Sequence, residues 1–446
     1  MNGRTSGPPD RNGSFFSQPA GARCKLLSAT MLALGLAACA GGGSENTPAG
    51  GVGGLPPAPA TPQAASVGAL LPLSGPMAGL GHEMLDAMHL ALPSGPSMPE
   101  IDAHDTAAPG GADTAAREAI GHGDKLLLGP LTASDTAKVA PLAIAANTPV
   151  LAFTSDTNRA QAGVWTLGLT PEQQVRRMVS AAKAAGRQHF AAFLPDNALG
   201  HAMGQALVQA CADEALAPPN VVYHGPTADA IRGSLRTLSA FDSRQASTAP
   251  AQPPASQSPV DPAVDPTSAG QPAAPSPAPV TPPANQPAAP LAPPPFDALL
   301  LADTGLQLGE TISALQADQV SGDKVQIMGP ALWDAFATKL SALSGAWYAA
   351  PDPAARQGFL RSFRLHYKIT PTPVAYLAFD AAAIAGIMAH AGYDPARLTQ
   401  SQGFSGTDGV FALSPDGHVA RSLAIFAIQK GGGSQIAIPA PASAHS

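Results

Sequence analysis

The 446-residue sequence predicts an α/β protein of two domains, with parallel sheets that carry helices on both faces. Three observations predict it. Short apolar runs alternate with amphipathic stretches of about 10–17 residues, the periodicity of repeated strand–helix units. Turn residues separate most of them. The runs fill 64–245 and 296–430, about 317 residues, a length that favours two domains. In order, the apolar run 67–71 reads as a strand and 79–92 as a helix. Strand 125–128 and helix 134–145 follow, then strand 149–152. Helix 173–185, strand 189–194, helix 200–216 and strand 221–223 complete the first stretch. The second stretch gives strand 297–301, helix 306–316, strand 325–328 and helices at about 354–367 and 374–390. A terminal hairpin is expected from 410–413 and 423–428, turned at Asp416-Gly417. Right-handed crossovers place the carboxyl ends of the strands on one side, where a ligand crevice lies.

Composition marks the rest of the chain. Residues 40–63 are Gly, Pro and Ala with almost no large apolar side chain, so they read as a flexible tether. Residues 246–295 hold 17 prolines in 50 positions, no aromatic, and only Asp261 and Asp265 as charges. Proline removes donors and fixes φ, so this segment reads as a disordered insertion within the folded part, either dispensable or a spacer or partner ligand. The tail 431–446 is again Gly, Pro and Ala and is expected to be flexible.

Near the amino terminus, Arg23 and Lys25 precede an apolar run from Leu26 to Ala38, which ends Leu36-Ala37-Ala38-Cys39. A basic segment, a short apolar segment and small residues before a cut site form a secretory signal over 1–38. An ordinary signal peptide and a short membrane anchor share parts of this pattern. The Cys after the small residues resembles the lipobox of bacterial lipoproteins, which implies cleavage before Cys39, lipidation of Cys39 and a membrane anchor there. Ala40, rather than Asp, follows it, which by resemblance to enterobacterial sorting rules favours the outer membrane. Past residue 38 no apolar run reads as long enough to cross a membrane. Without residues 1–38 the net charge is −10, which argues against nucleic acid as a partner. Cys24 lies in the removed segment, so Cys211 is left without a disulfide partner and reads as a small buried apolar residue.

The run Val67-Gly-Ala-Leu-Leu-Pro-Leu-Ser-Gly-Pro-Met-Ala-Gly-Leu-Gly-His-Glu-Met-Leu-Asp-Ala-Met-His-Leu-Ala91 resembles the opening of the type I periplasmic binding proteins. That family includes leucine/isoleucine/valine-binding proteins and penicillin-binding protein activator lipoproteins. Asp105 after a second strand, Leu128-Gly-Pro-Leu131, Asn147-Thr-Pro-Val-Leu-Ala152 and Asp196-Asn-Ala-Leu-Gly200 extend the resemblance. So do Tyr376-Leu-Ala-Phe-Asp380 and Gly403-Phe-Ser-Gly-Thr-Asp-Gly-Val-Phe411. It covers 64–430 apart from the insertion and implies two Rossmann-like lobes joined by three hinge crossings, with a cleft between them. Ser74 offers a hydroxyl in the first turn, and Gly129–Ser134 ends a strand and opens a helix whose free amides suit a carboxylate. By position the resemblance gives Thr132, Ser134, Thr154 and Ser155 the role of holding a ligand's α-carboxylate. Helix capping and turn formation explain the same residues. Amino-acid binders also need an acid for the α-ammonium, and Gly329-Pro330-Ala331 supplies none, which leaves Asp303 and Asp334 as substitutes. Trp165, Tyr223, Trp333, Trp347 and Tyr348 are the aromatics available to line a cleft.

His82, Asp86 and His89 share one helix face but read as a solvated polar face, not a metal site. No nucleophile elbow, phosphate loop or His-Glu-x-x-His pattern occurs, so no catalytic residue, cofactor or metal is expected. Two functions fit the resemblance. One is a partner-binding lipoprotein of the activator kind, acting on a peptidoglycan synthase. The other is the solute-binding component of an amino-acid-type ABC importer, with a small amino-acid-like ligand and an ABC permease as partners.

Overall fold

The structure is a computed structural model that describes residues 65–95, 98–248 and 291–444. The signal segment 1–38, Cys39, the tether up to residue 63 and residues 249–290 of the insertion lie outside the described residues.

β1 (Ser66–Leu71), α1 (Ala78–Ala91), β2 (Glu100–Asp105), α2 (Gly111–His122), β3 (Leu127–Leu128), α3 (Ala133–Ala145), β4 (Val150–Ala152) and β5 (Val164–Thr166) open the first lobe. Their sheet has the order β2-β1-β3-β4-β5, and every pairing is parallel. The chain crosses at 167–170 and builds the second lobe. There it forms α4 (Pro171–Ala184), β6 (Phe190–Pro195), α5 (Ala198–Asp213), β7 (Asn220–His224), α6 (Ala228–Leu238) and α7 (Phe241–Thr248). After the insertion come β8 (Ala298–Leu301), α8 (Gly305–Ala317), β9 (Gln326–Gly329) and β10 (Trp347–Ala350). A second crossing at 351–356 returns it to the first lobe with α9 (Gln357–Tyr367), α10 (Pro373–His390), β11 (Phe404–Gly406), β12 (Gly409–Leu413) and β13 (Val419–Arg421). Phe359, Phe363, Ala378, Ile384 and Phe411 there share one core with Val67, Leu71 and Met84. A third crossing at 422–423 sends β14 (Ala424–Ile428) and β15 (Ser434–Ile438) into the second sheet, whose order is β15-β14-β10-β9-β8-β6-β7. The two α/β lobes and the three-crossing hinge are therefore as the resemblance implied.

Four expectations need correction. The terminal hairpin pairs β12 with β13, residues 419–421, and not with 423–428. Its turn does carry Gly417, at φ +89°, where a Cβ would lie 2.3 Å from Gln161 N, so only glycine fits. The segment 424–428 pairs with β10 instead, antiparallel, because it enters the second lobe from the hinge end at which β10 leaves. The tail expected to be flexible holds β15, which pairs antiparallel with β14 and gives that sheet a second antiparallel pairing. The insertion is ordered at both rims: α7 runs to Thr248, and Arg244 Nε donates to the Ala292 carbonyl at 2.7 Å. Finally, α10 is long and apolar enough to span a membrane, with a mean hydropathy of 1.4. Most of its Ala side chains, with Ile384 and Met388, are buried in the first core, where the helix packs on α1, which accounts for its composition.

Two arginines tie the crossings together. Arg421 is buried, and its Nη2 donates to the Leu167 carbonyl at 3.0 Å, joining the third crossing to the first. Its guanidinium lies 5.0 Å from the centre of the Phe411 ring. Arg356, at the second crossing, brings Nη2 to 2.7 Å from Asp408 Oδ1 and lies over Tyr376. Beside them Asp380 is buried and accepts the Thr407 amide at 2.7 Å. Burial pushes its carboxyl up to about 6, against the opposing pull of Thr407 and Arg421.

That shift has a sign for stability. The folded chain holds the Asp380 proton more tightly than the unfolded chain, so the stabilising contribution is complete below the ordinary carboxylate value of 3.8. It is lost as pH rises through about 6. Replacing Asp380 with Asn is expected to remove this dependence. Relative to the unmodified chain the variant should gain about 2 kcal/mol between pH 4 and pH 7, because the Asp380 carboxyl ionises at about 6 rather than 3.8. Urea midpoints of both proteins at the two ends of that range check it; a constant difference between them refutes it.

Candidate functional site

In the first sheet the strand order reverses between β1 and β3, so the loops after β1, β3 and β4 meet at the rim where such folds bind ligands. Gly129, at φ +110°, begins the loop after β3 because a Cβ there would sit 2.3 Å from the Leu70 carbonyl oxygen. Asp105, at the end of β2, organises the loop after β1. Its Oδ1 accepts the amides of Leu73 at 2.8 Å, Ser74 at 3.3 Å and Ala107 at 2.9 Å. Burial pushes the Asp105 carboxyl up, but the Ser74 hydroxyl and these amides outweigh it and hold it below its ordinary value. Ser74 is thus engaged with Asp105.

The loop after β3 caps its own helix. Thr132 Oγ1 accepts the Asp135 amide at 3.1 Å and donates to Asp135 Oδ2 at 2.7 Å, with Ser134 Oγ 3.0 Å away. Thr154, buried after β4, accepts the Asp156 amide at 3.0 Å, while Ser155 beside it is exposed. Thr132 and Thr154 therefore serve as cap and turn formers.

Between the lobes lies a cavity of about 810 Å³. Thr154, Ser155, Asp156 and Asn158 line it from the first lobe, together with Ala133, which sits between Thr132 and Ser134. From the second lobe α5 presents Ala198, Leu199, Ala202, Gln205 and Gln209, a wall without charge. Two acids reach it, and each has a cation. Asp156 pairs with Arg159 at 3.1 Å, and Glu172, in the first turn of α4, pairs with Arg176 at 2.6 Å. His418 completes the lining. The sequence reading found Thr154 and Ser155 but missed Asp156, Glu172, Gln205, Gln209 and His418. Asp156 was signalled by its place next to Ser155; the others come from α4, α5 and the β12–β13 turn, which only folding brings together.

The substitute acids sit elsewhere. Asp303, at the end of β8, is fully buried. Its Oδ2 accepts from Thr311 Oγ1 at 3.2 Å and lies 3.3 Å from His224 Nε2, whose ring stacks on Phe193. Asp334 accepts the Tyr348 hydroxyl at 2.6 Å. Trp333, fully buried, donates Nε1 to the Asp303 carbonyl at 3.2 Å and lays its ring on Gly329, where a Cβ would come within 2.4 Å of it. Of Trp165, Tyr223, Trp333, Trp347 and Tyr348, none lines the interlobe cavity. Cys211 is buried, and burial pushes its thiol up to about 11, so it is inert packing. On α1, His82, Asp86 and His89 are not among the described residues whose ligand atoms gather within 4.8 Å of one another.

The model of the periplasmic binding protein family matches residues 65–232, most of the first lobe and the start of the second. A comparison with curated protein sequences finds no match. Among solved structures, full-length LpoA from Haemophilus influenzae superposes with a TM-score of 0.55 at 18% identity, over 85% of this chain and 59% of that one. The LpoA C-domain, described as a regulator of PBP1A, gives 0.53 at 17% identity and is covered completely. A branched-chain amino acid ABC transporter protein from Rhodospirillum rubrum gives 0.60 at 15% identity, over 84% of this chain and all of that one. This chain has the type I periplasmic binding protein fold, and the resemblance read from its motifs holds for that fold. It spans only 59% of full-length LpoA, and it shares its fold with regulators and solute-binding proteins alike.

Proposed function

We propose that this protein is a non-enzymatic envelope lipoprotein, anchored through lipidated Cys39 at the periplasmic face of the outer membrane, that stimulates a peptidoglycan synthase by direct contact. One observation carries the reading: among the described residues that line the cavity, the second lobe offers no unpaired acid to an amino acid's ammonium group. Asp303, the best-placed substitute, is sealed under Trp333 and bonded to Thr311 and His224. The α5 wall of the cavity is neutral, and Glu172 is paired. The fold shared with LpoA, whose C-domain is described as a regulator of PBP1A, supports it further.

A second reading keeps the cavity of about 810 Å³ as a solute site, with Ser155 at its wall, serving an ABC importer. Thermal unfolding of the full chain in detergent, with and without amino acids, D-Ala peptides and muropeptides, separates the two. A ligand at 100 times its dissociation constant adds about 2.7 kcal/mol, a shift of a few degrees. No shift with any free amino acid, together with faster glycan polymerisation by the bifunctional synthase of the same genome, is the expected result. A shift with one amino acid and an unchanged synthase rate would replace this reading with the importer.

A further inference from the structure

On the outer edge of the first lobe, away from the interlobe cavity, three side chains converge and a fourth lies beside them. Asp102 and His104 lie two residues apart on β2, so they point to the same face of the sheet. α2 ends at His122, and Gly123, at φ +87°, reverses the chain so that Asp124 turns back under the helix. Asp102 Oδ2 is 3.0 Å from His104 Nε2 and 2.7 Å from His122 Nδ1, and all three ligand atoms lie within 4.8 Å of one another. Asp124 Oδ2 is 3.6 Å from His104 Nε2. Gly68, the residue that registers with Asp102 across β1 and β2, makes room for it, since a Cβ there would stand 2.7 Å from Asp124 Oδ2.

We propose that Asp102, His104, His122 and Asp124 bind one divalent transition metal ion, with zinc as the best match. The Asp124 side chain is fully buried, with the Ser66 hydroxyl as a weak partner and neither oxygen in a well-formed hydrogen bond, and His104 Nε2 is buried against Asp102 Oδ2, also without well-formed hydrogen-bond geometry. A sealed, poorly satisfied carboxylate beside an imidazole nitrogen is costly unless a cation completes it. Two imidazole nitrogens and two carboxylate oxygens suit tetrahedral zinc rather than calcium or magnesium, which take six or more oxygens. Ligand atoms around such an ion, with bonds of about 2.0–2.2 Å, stand roughly 3.3 Å apart; the Asp102 contacts to His104 and His122 lie within about 0.6 Å of that, while Asp124, outside the group of three, must turn toward the ion to join it. Glu118 Oε2, 3.7 Å from His104 Nδ1, is placed to orient that ring from outside the ligand set. The ion ties the edge strand β2 to the end of α2.

The test is calorimetric titration of zinc chloride into the full chain, in detergent and without a histidine tag. One equivalent per chain is expected, with affinity falling at least about tenfold in both His122→Ala and Asp102→Asn. Both positions are partly exposed, so these variants should keep the unmodified circular dichroism spectrum. Cobalt added to the unmodified chain gives a second readout that needs no variant: intense visible bands mark a tetrahedral site. No binding of zinc, binding undiminished in both variants, or a weak octahedral cobalt spectrum would each overturn the proposal.

Discussion

Replacing Arg421 with leucine is expected to cost about 3–5 kcal/mol of folding stability, the range for removing one member of a buried charge system. The side chain is buried beside the third crossing, and its positive charge acts on the buried Asp380 and Asp408. Leucine fills part of the volume but abandons the bond to the Leu167 carbonyl and the contact with the Phe411 ring. Asp408 keeps Arg356, so the uncompensated acid is Asp380, whose carboxyl, already pushed up by burial, should rise further. Chemical denaturation at neutral pH measures the loss, and a loss below about 1 kcal/mol would show that Arg421 is not what joins the crossings. Because Leu167 and Arg421 belong to different crossings, the variant should also loosen the lobes relative to one another. Faster amide exchange at the strand ends flanking the hinge would report that loosening.

Trp333→Ala should cost a similar amount, about 3–5 kcal/mol, for a different reason. The indole is the largest fully buried side chain of the second lobe and packs in its core with Leu301, Leu308 and Tyr348. Its removal leaves a cavity over Gly329, which has no side chain to collapse into it, and orphans the Asp303 carbonyl. The urea midpoint should fall with little change in slope. A near-neutral effect would mean that the rim around Gly329 is pliable, and that the burial of Asp303, on which the proposed function rests, is not firmly held.

The parts of the fold that the sequence announced are those with local signals. The apolar runs before and after Gly79–Leu92, and the long helix near the carboxyl end, declare themselves by periodicity and punctuation. β2 and α6 are less apolar, and β5 and β10 are short, so their pattern is weak; pairing with neighbours, not propensity, makes the strands form. The site divides the same way. Thr132, Ser134, Thr154 and Ser155 stand at loop positions that a strand–turn–helix reading locates. Whether a hydroxyl is free for a ligand or bonded to its own backbone depends on angles that composition does not encode, and Thr132 and Thr154 turn out to be bonded.

By itself the sequence determined the α/β class, the division into two domains, the Pro-rich interruption of the folded part and the amino-terminal export pattern, because each rests on length, spacing and composition along the chain. The tertiary structure alone decided which lobe each late segment joins, that residues 424–428 leave the hairpin for the second sheet, and that Asp303 is closed under Trp333. It also brought Asp102, His104 and His122 to one point, with Asp124 beside them. Each of these depends on contacts between residues far apart in sequence, where burial and hydrogen-bond satisfaction are settled jointly by elements that carry no local mark of one another.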